Sequence, residues 1–379
     1  MAKVLGIIIS EGSRIRVKGL KDYRPIGAFS FLGRYRVVDF PLSNMSNSGI
    51  DRIHVYAGKN PRSLVEHVGS GRHYNINSKS GGIEVLFSEA GKFNDVYDTD
   101  VQAINENLSV LQKSHREYVV LAPSYMVYAQ DYKKALKEHI ASGADISVLY
   151  HQVSTAKEDF LNSKLVDCGD GNVIRGIVQN LGNEATANVS MATYIMKRTQ
   201  LMTLIKDAIA FSSGCSLSQI IHEKCRQAQA GAPDALVIKA IRHEGFFADC
   251  RSLRDYVDAN MDLLDMANAE SLFRPEWPIY TRTTDTCPSK YYESAVVKNS
   301  MISNGCIIKG TVENSVIGRS VTISEGAIVK NCIISAYVNV GEGVRLEGQV
   351  IDKWAKIVTT KEIVTGLDNP GYIKRDDTL

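Results

Sequence analysis

The chain has almost no net charge: 44 basic and 42 acidic side chains leave +2 over 379 residues. So small an imbalance creates no global field that would gather nucleic acid or an anionic membrane, and partners must be chosen by local sites. Paired cysteines are missing too. The seven present (Cys168, Cys215, Cys225, Cys250, Cys287, Cys306, Cys332) are odd in number and scattered, with no Cys-x-x-Cys pair and no histidines interleaved at ligand spacing. That pattern argues against a disulfide framework or a zinc site and for reduced thiols in the cytoplasm. No long apolar run opens the chain: Val4 to Ile9 is too short for a signal h-region and far too short to span a bilayer, so a cytoplasmic protein off the membrane is expected. The eight histidines lack metal spacing, and none lies beyond His243.

What is present is apolar patterning enough for two cores, with 44% hydrophobic residues. Val4-Leu5-Gly6-Ile7-Ile8-Ile9 reads as a strand covered on both faces, and Arg52 to Ala57, Ile83 to Phe87, Tyr118 to Ala122 and Ile146 to Tyr150 repeat the texture. Helical stretches such as Val101 to Lys113 and Tyr132 to Ser142 alternate with them, which predicts a Rossmann-like α/β domain with a mostly parallel sheet over residues 1–260. In such sheets ligands bind beyond the carboxyl ends of the strands, so the loops after Ile9 and Leu121 are the places to look for chemistry. Residues 261–295, with Pro275, Pro278 and Pro288, read as a linker.

Over residues 296–379 aliphatic side chains recur every six positions, at Ile302 and Ile308, at Ile317, Ile323 and Val329, and at Val340 and Leu346, followed by glycines or small residues. This predicts a left-handed parallel β-helix, with longer corners between Ile308 and Ile317 and between Val329 and Val340. Acyl transfer on such a helix needs a base, and no histidine supplies one, so a scaffold for subunit packing is the better reading.

The block from Phe31 to Asn44, which reads FLGRYRVVDFPLSN, and Asn47-Ser48-Gly49-Ile50 just after it carry the most specific signal. With the α/β domain and the β-helix, they make the chain resemble the ADP-glucose pyrophosphorylase (glucose-1-phosphate adenylyltransferase) family over nearly its whole length. The resemblance implies a nucleotidyltransferase fold and the reaction of ATP with glucose 1-phosphate to give ADP-glucose and pyrophosphate. It also implies a site, and there the chain departs from the family.

The family's glycine loop reads here Ile9-Ser10-Glu11-Gly12-Ser13-Arg14-Ile15, so Gly12, Ser13 and Arg14 are nucleotide-phosphate remnants while the two leading glycines are gone. Arg24-Pro25 stands for the family's Lys-Pro, and Thr99 to Ala103 keeps only the alanine of a Gly-Thr-Ala-Asp-Ala motif. The metal-binding Gly-Asp after Leu121 is replaced by Pro123-Ser124, while Asp249 matches the second metal-side aspartate. The lysine that holds the phosphate of glucose 1-phosphate is Asn180, within Gln179-Asn180-Leu181.

These departures at separate chemical roles imply a largely non-catalytic regulatory chain of the D type found in bacterial glycogen synthesis, needing no cofactor of its own. Its implied partner is a homologous catalytic subunit in a heterotetramer. The alternative is a weakly active adenylyltransferase in which Asp249, with Ser124, water or Asp131, still holds Mg²⁺. Arg14, Arg16, Lys18, Lys21, Arg24, Arg34 and Arg36 cluster with only Asp22 opposing them. By resemblance, Arg34 and Arg36 are candidates for an effector site that takes phosphate or a phosphorylated metabolite. A solvated surface or a subunit contact explains the same charges without a ligand.

Overall fold

The computed structural model describes residues 3–9, 15, 17, 19–77, 79, 81–87 and 99–379. The chain divides into two compact units, and the division cuts it elsewhere than at residues 260 and 295: residues 1–15, 40–247 and 277–280 form one, and 16–39, 248–276 and 281–379 the other.

In the first unit the continuous apolar runs pair as buried strands. β1 (Val4–Ile9), β2 (Arg52–Ala57), β3 (Gly82–Phe87), β4 (Tyr118–Pro123), β5 (Ile146–Val153), β6 (Lys164–Cys168), β7 (Ile174–Gln179), β8 (Ala187–Lys197) and β9 (Ile238–His243) form one sheet. Its order is β7-β6-β8-β4-β1-β2-β3, and β5 pairs both β8 and β9. Pairing is parallel for β1 with β2 and β4, β2 with β3, and β5 with β9, and antiparallel where β8 meets β4 and β5. Ile9 stands level with Tyr56 on one side and Pro123 on the other, so the carboxyl ends of the central strands are in register. One sheet face is covered by an aliphatic core in which Leu5, Ile7, Val119, Leu121, Val148 and Leu204 are essentially solvent-free.

Helix boundaries follow local hydrogen-bonding chemistry. α1 (Tyr132–Ser142) is capped by Asp131, whose carboxylate accepts from the N–H groups of Lys133 and Lys134, and ends at Gly143 with φ 65°. The single helix expected over 101–113 is two, Asp100–Glu106 and Leu108–Lys113. Asn107 interrupts it because its side-chain amide donates to the Ala103 carbonyl, a local bond that competes with the helix ladder.

The C-terminal residues of the second unit form three parallel five-stranded sheets, the three walls of a left-handed β-helix. Successive turns step through Thr311, Ile328, Arg345 and Glu362, a rise of one coil every 17 residues. Ile308, Ile317, Ile323, Val329, Val340 and Leu346 all point inward and are fully buried. The corners expected to be longer are not, because Val312 and Ile334 fill the interior at those points. Asparagines make corners as well as glycines do: Asn299, Asn314 and Asn331 take left-handed φ, and their side-chain amides bond from coil to coil at 2.9 and 2.6 Å.

Packed in the same unit are residues 16–39 and the helix α2 (Leu253–Asp262). Tyr256 stacks edge-on against Phe29 and donates its hydroxyl to the Ser30 carbonyl, and Asn260 accepts from the Leu32 N–H at 2.9 Å. Gly33 follows with φ 67°, and a β-carbon there would lie 2.7 Å from the Ile317 carbonyl oxygen, so only glycine lets this loop approach the β-helix backbone. Truncation of Ile323 to alanine is expected to destabilise the β-helix by about 2–5 kcal/mol in denaturant titrations, whereas Ile307→Ala, on the outer face of a neighbouring strand and 38% exposed, should stay within about 1 kcal/mol of the parent.

Candidate functional site

The loop after β1, with Gly12, Ser13 and Arg14, lies outside the described residues, as do Ser10, Arg16 and Lys18. The chemistry of the first unit is therefore read from the strands beside it. Ser124 follows directly on β4; its N–H donates to the Ile9 carbonyl at 2.9 Å, and its hydroxyl is buried with no hydrogen-bond partner among the described residues. A neutral Oγ at the end of the central strand has neither the charge nor the second oxygen of a hard-cation ligand. Asp131 holds the start of α1, its Oδ1 accepting from the N–H groups of both Lys133 and Lys134. Thr99 and Asp100 are likewise structural: Thr99 caps the following helix through the Gln102 N–H, and Asp100 accepts from the Leu217 N–H at 2.9 Å.

The block that carries the resemblance is a set of polar ties. Asn44 is fully buried; its amide nitrogen donates to the Tyr128 carbonyl, and its oxygen accepts from the Gln130 N–H and the Trp277 indole, all between 2.9 and 3.1 Å. Ser43 accepts from the Tyr280 N–H, and Ser48 accepts from the Tyr132 N–H at 2.8 Å.

Asn180 stands at the end of β7 and is also a tie. Only 2% exposed, it donates through Nδ2 to the carbonyls of Ala156 at 2.8 Å and Phe160 at 3.0 Å, and accepts through Oδ1 from the Gly182 N–H at 3.0 Å. It pins the loop 155–163. The cavity beside it, about 420 Å³, is lined by Gln152, Asp167, Gln179, Glu184 and Asn188 among others, and no lysine or arginine is among its described lining residues. Amides and carboxylates without a cation offer a sugar phosphate no counter-charge.

In the second unit Asp249 is 5% exposed, and Oδ2 lies 2.5 Å from the guanidinium of Arg251, off the alignment of a hydrogen bond. Burial pushes its carboxyl up to about 6 although Arg251 opposes the shift. Neighbouring Asp255 is engaged in a capping box: it accepts from the Ser252 N–H at 3.0 Å while the Ser252 hydroxyl accepts from its own N–H. Mg²⁺, which the resemblance implies, needs near-octahedral oxygen ligation with at least one free carboxylate. Among the described residues no group of three histidines, cysteines or carboxylates could hold a metal; Asp249 lies against Arg251, and Asp131 caps α1 through Oδ1. The described residues do not fit the ion.

Arg24, expected on the nucleotide side, is 4% exposed and pairs instead with the fully buried Asp352 of the β-helix, which also accepts from the Tyr372 hydroxyl at 3.1 Å. Burial forces this commitment, because an uncompensated guanidinium would be costly there. Arg36 is turned inward too, donating to the Ala28 carbonyl at 2.8 Å; burial and the charge of Arg24 lower its pKa. Next in this group is Lys353, whose ammonium is pushed down to about 7 by burial and by Arg36 and Arg24, against the pull of Asp352.

Arg34 faces a different space, a cavity of about 400 Å³ lined by Tyr35, Phe273, Thr284, Ser303 and Arg319 among others. Tyr35 and Phe273 stack at 5.3 Å, and Arg319 donates to the Thr284 hydroxyl at 3.0 Å. Burial and the like charge of Arg34 lower the Arg319 pKa, so two guanidinium groups share one polar cavity. The candidate pair Arg34 and Arg36 is thus divided, and Arg319 is the second cation that lines the cavity with Arg34. Sequence reading missed Arg319, Lys353 and Arg251, since no spacing rule distinguishes them from other surface cations. Two of the histidines serve packing: His151 and His243 meet through their Nδ1 atoms at 3.1 Å, His243 Nε2 bonds the Ala129 carbonyl, and both rings lie against Phe247.

A strand-rich α/β unit with a continuous parallel core and a hexapeptide β-helix define a nucleotidyltransferase architecture. The nucleotidyl transferase family profile matches residues 5–264, and a GlmU-like C-terminal hexapeptide profile matches 286–371; the chain belongs to the nucleotidyl transferase family. It is 31% identical to a glucose-1-phosphate adenylyltransferase of Fervidobacterium nodosum over 93% of this chain and 83% of that protein. It is similar to the same degree to the glycogen biosynthesis protein GlgD of Geobacillus stearothermophilus, over 86% of this chain and 83% of that one. The GlgD of Bacillus subtilis is 28% identical over 98% of this chain and 96% of its own length. No helix among the described residues is long and apolar enough to cross a membrane.

Two outcomes are expected. Asn180→Lys should destabilise the first unit by about 2–4 kcal/mol and speed hydrogen exchange over 155–163, without producing glucose 1-phosphate binding in calorimetry, because the lost ties outweigh the added charge. Lys353 has a folded pKa below its unfolded value, so between the two the unfolded chain holds the extra proton and stability rises with pH. From pH 7 to 9 the parent should gain stability at a slope of up to about 1.4 kcal/mol per pH unit that Lys353→Met removes, as read in denaturant titrations across that range.

Proposed function

We propose that this chain is a regulatory, catalytically deficient subunit of an ADP-glucose pyrophosphorylase of glycogen synthesis, working in the cytoplasm through a homologous catalytic subunit in a heterotetramer. The observation that carries the reading is the conversion of reactive positions into structural ones. Asn180 pins a loop, Asp131 caps a helix, Asp249 lies against Arg251, and Ser124 offers a neutral hydroxyl. Nucleotidyl transfer needs cations on the reacting phosphates, and losing a main carboxylate ligand for such a cation costs at least about 10²-fold in rate. The names of the relatives, divided between adenylyltransferases and GlgD proteins, support the pathway and leave the subunit's role to this argument.

Regulation is assigned to the cavity of Arg34 and Arg319. Two guanidiniums with the Thr284 and Ser303 hydroxyls suit a phosphate or a phosphorylated metabolite, which would bind as an effector. Arg36 and Lys353 add positive charge to this unit, and Lys353 gains its proton as pH falls through about 7.

The test is ADP-glucose formation from ATP, glucose 1-phosphate and Mg²⁺ by this chain alone, by the catalytic partner alone and by the two co-purified. Turnover near zero alone, with a raised rate or altered phosphate response in the mixture that Arg34→Ala/Arg319→Ala removes, is the expected result. Turnover by the isolated chain comparable to that of the partner would establish a genuine adenylyltransferase instead.

A further inference from the structure

We propose that Arg251 is a built-in counter-ion that withholds the Asp249 carboxylate from divalent cations, so that this part of the second unit carries a fixed positive charge in place of an exchangeable metal. With 5% exposure, Asp249 cannot stay ionised without a counter-charge close by, and the cost of an isolated buried carboxylate is several kcal/mol. Arg251, two residues on, supplies that charge at 2.5 Å. Its guanidinium cannot be deprotonated under cellular conditions, so the compensation is permanent, whereas a bound Mg²⁺ exchanges with solution.

The surroundings point the same way. A second carboxylate on the same segment, Asp255, accepts from the Ser252 N–H, and removing its side chain would break one of the two bonds of the α2 capping box. A cation entering would find one carboxylate oxygen pair already faced by a guanidinium, and no third ligand of the histidine, cysteine or carboxylate type among the described residues. The Arg251 side chain is 21% exposed, so the approach is not sealed sterically. Exclusion is therefore electrostatic: a like charge stands at the carboxylate, and removing that charge should open the position. The inference goes beyond the regulatory reading and does not rest on it, since it concerns cation binding whether or not the chain turns over.

Mn²⁺ is the probe, its free concentration followed by electron paramagnetic resonance in solutions of the full chain. The parent, Arg251→Lys and Asp249→Asn should show indistinguishable Mn²⁺ binding. Arg251→Ala should bind Mn²⁺ at least about tenfold more tightly, and Asp249→Asn/Arg251→Ala should lose the gain. Arg251→Gln, a neutral side chain of similar length, serves the same comparison if the alanine variant does not fold. Saturable Mn²⁺ binding by the parent that Asp249→Asn abolishes would overturn the proposal. So would a neutral variant at 251 that binds no tighter than the parent. Since the readout is occupancy and not ADP-glucose, failure here is distinguishable from failure of the regulatory assignment.

Discussion

A polar group withdrawn from water must be given a partner within the fold, and most of this molecule's departures from an ordinary nucleotidyltransferase site follow from that constraint. In an active site, buried charged groups stay poised because a substrate or a metal completes them. Here the fold completes many of them itself. Arg24 has Asp352, Asp249 has Arg251, Asn180 has four backbone groups, and Asp131 has the first turn of its helix. Each pairing stabilises its own unit. The exception is Ser124, whose buried hydroxyl has no partner among the described residues.

The same economy explains why the chain keeps its most recognisable block while losing reactive groups around it. Asn44 satisfies two backbone groups and an indole at once, Ser43 and Ser48 hold two more backbone groups, and Gly33 lets a loop touch the β-helix backbone where any β-carbon would collide. These residues maintain the fold whether or not phosphates are handled. Arg34 and Arg319 are cations that line one cavity, and no carboxylate is among its described lining residues to neutralise them.

Much of the architecture was legible from periodicity. Continuous β-branched runs marked the central strands to within a few residues, and the six-residue aliphatic repeat marked the β-helix, because burial on both faces or inside a triangular coil dictates residue type directly. Where local chemistry opposed the pattern, the reading failed: Asn107 split an expected helix, and Val312 and Ile334 filled corners that looked like interruptions. The site was legible mainly as a list of departures. That Ser124 is neutral and that Asn180 carries no charge follow from identity alone.

What only tertiary structure decided is which groups meet. Arg24 and Asp352 are 328 positions apart, and Arg34 and Arg319 nearly as far, so no spacing could pair them. Arg251 lies two residues from Asp249, yet its role depends on burial, which turns a common sequence neighbour into an obligatory counter-ion. Sequence determines composition, local propensity and the repeating pattern of burial, since these act over a few residues. Partner choice for buried charge is set by the low-dielectric interior that exists only once the chain has folded.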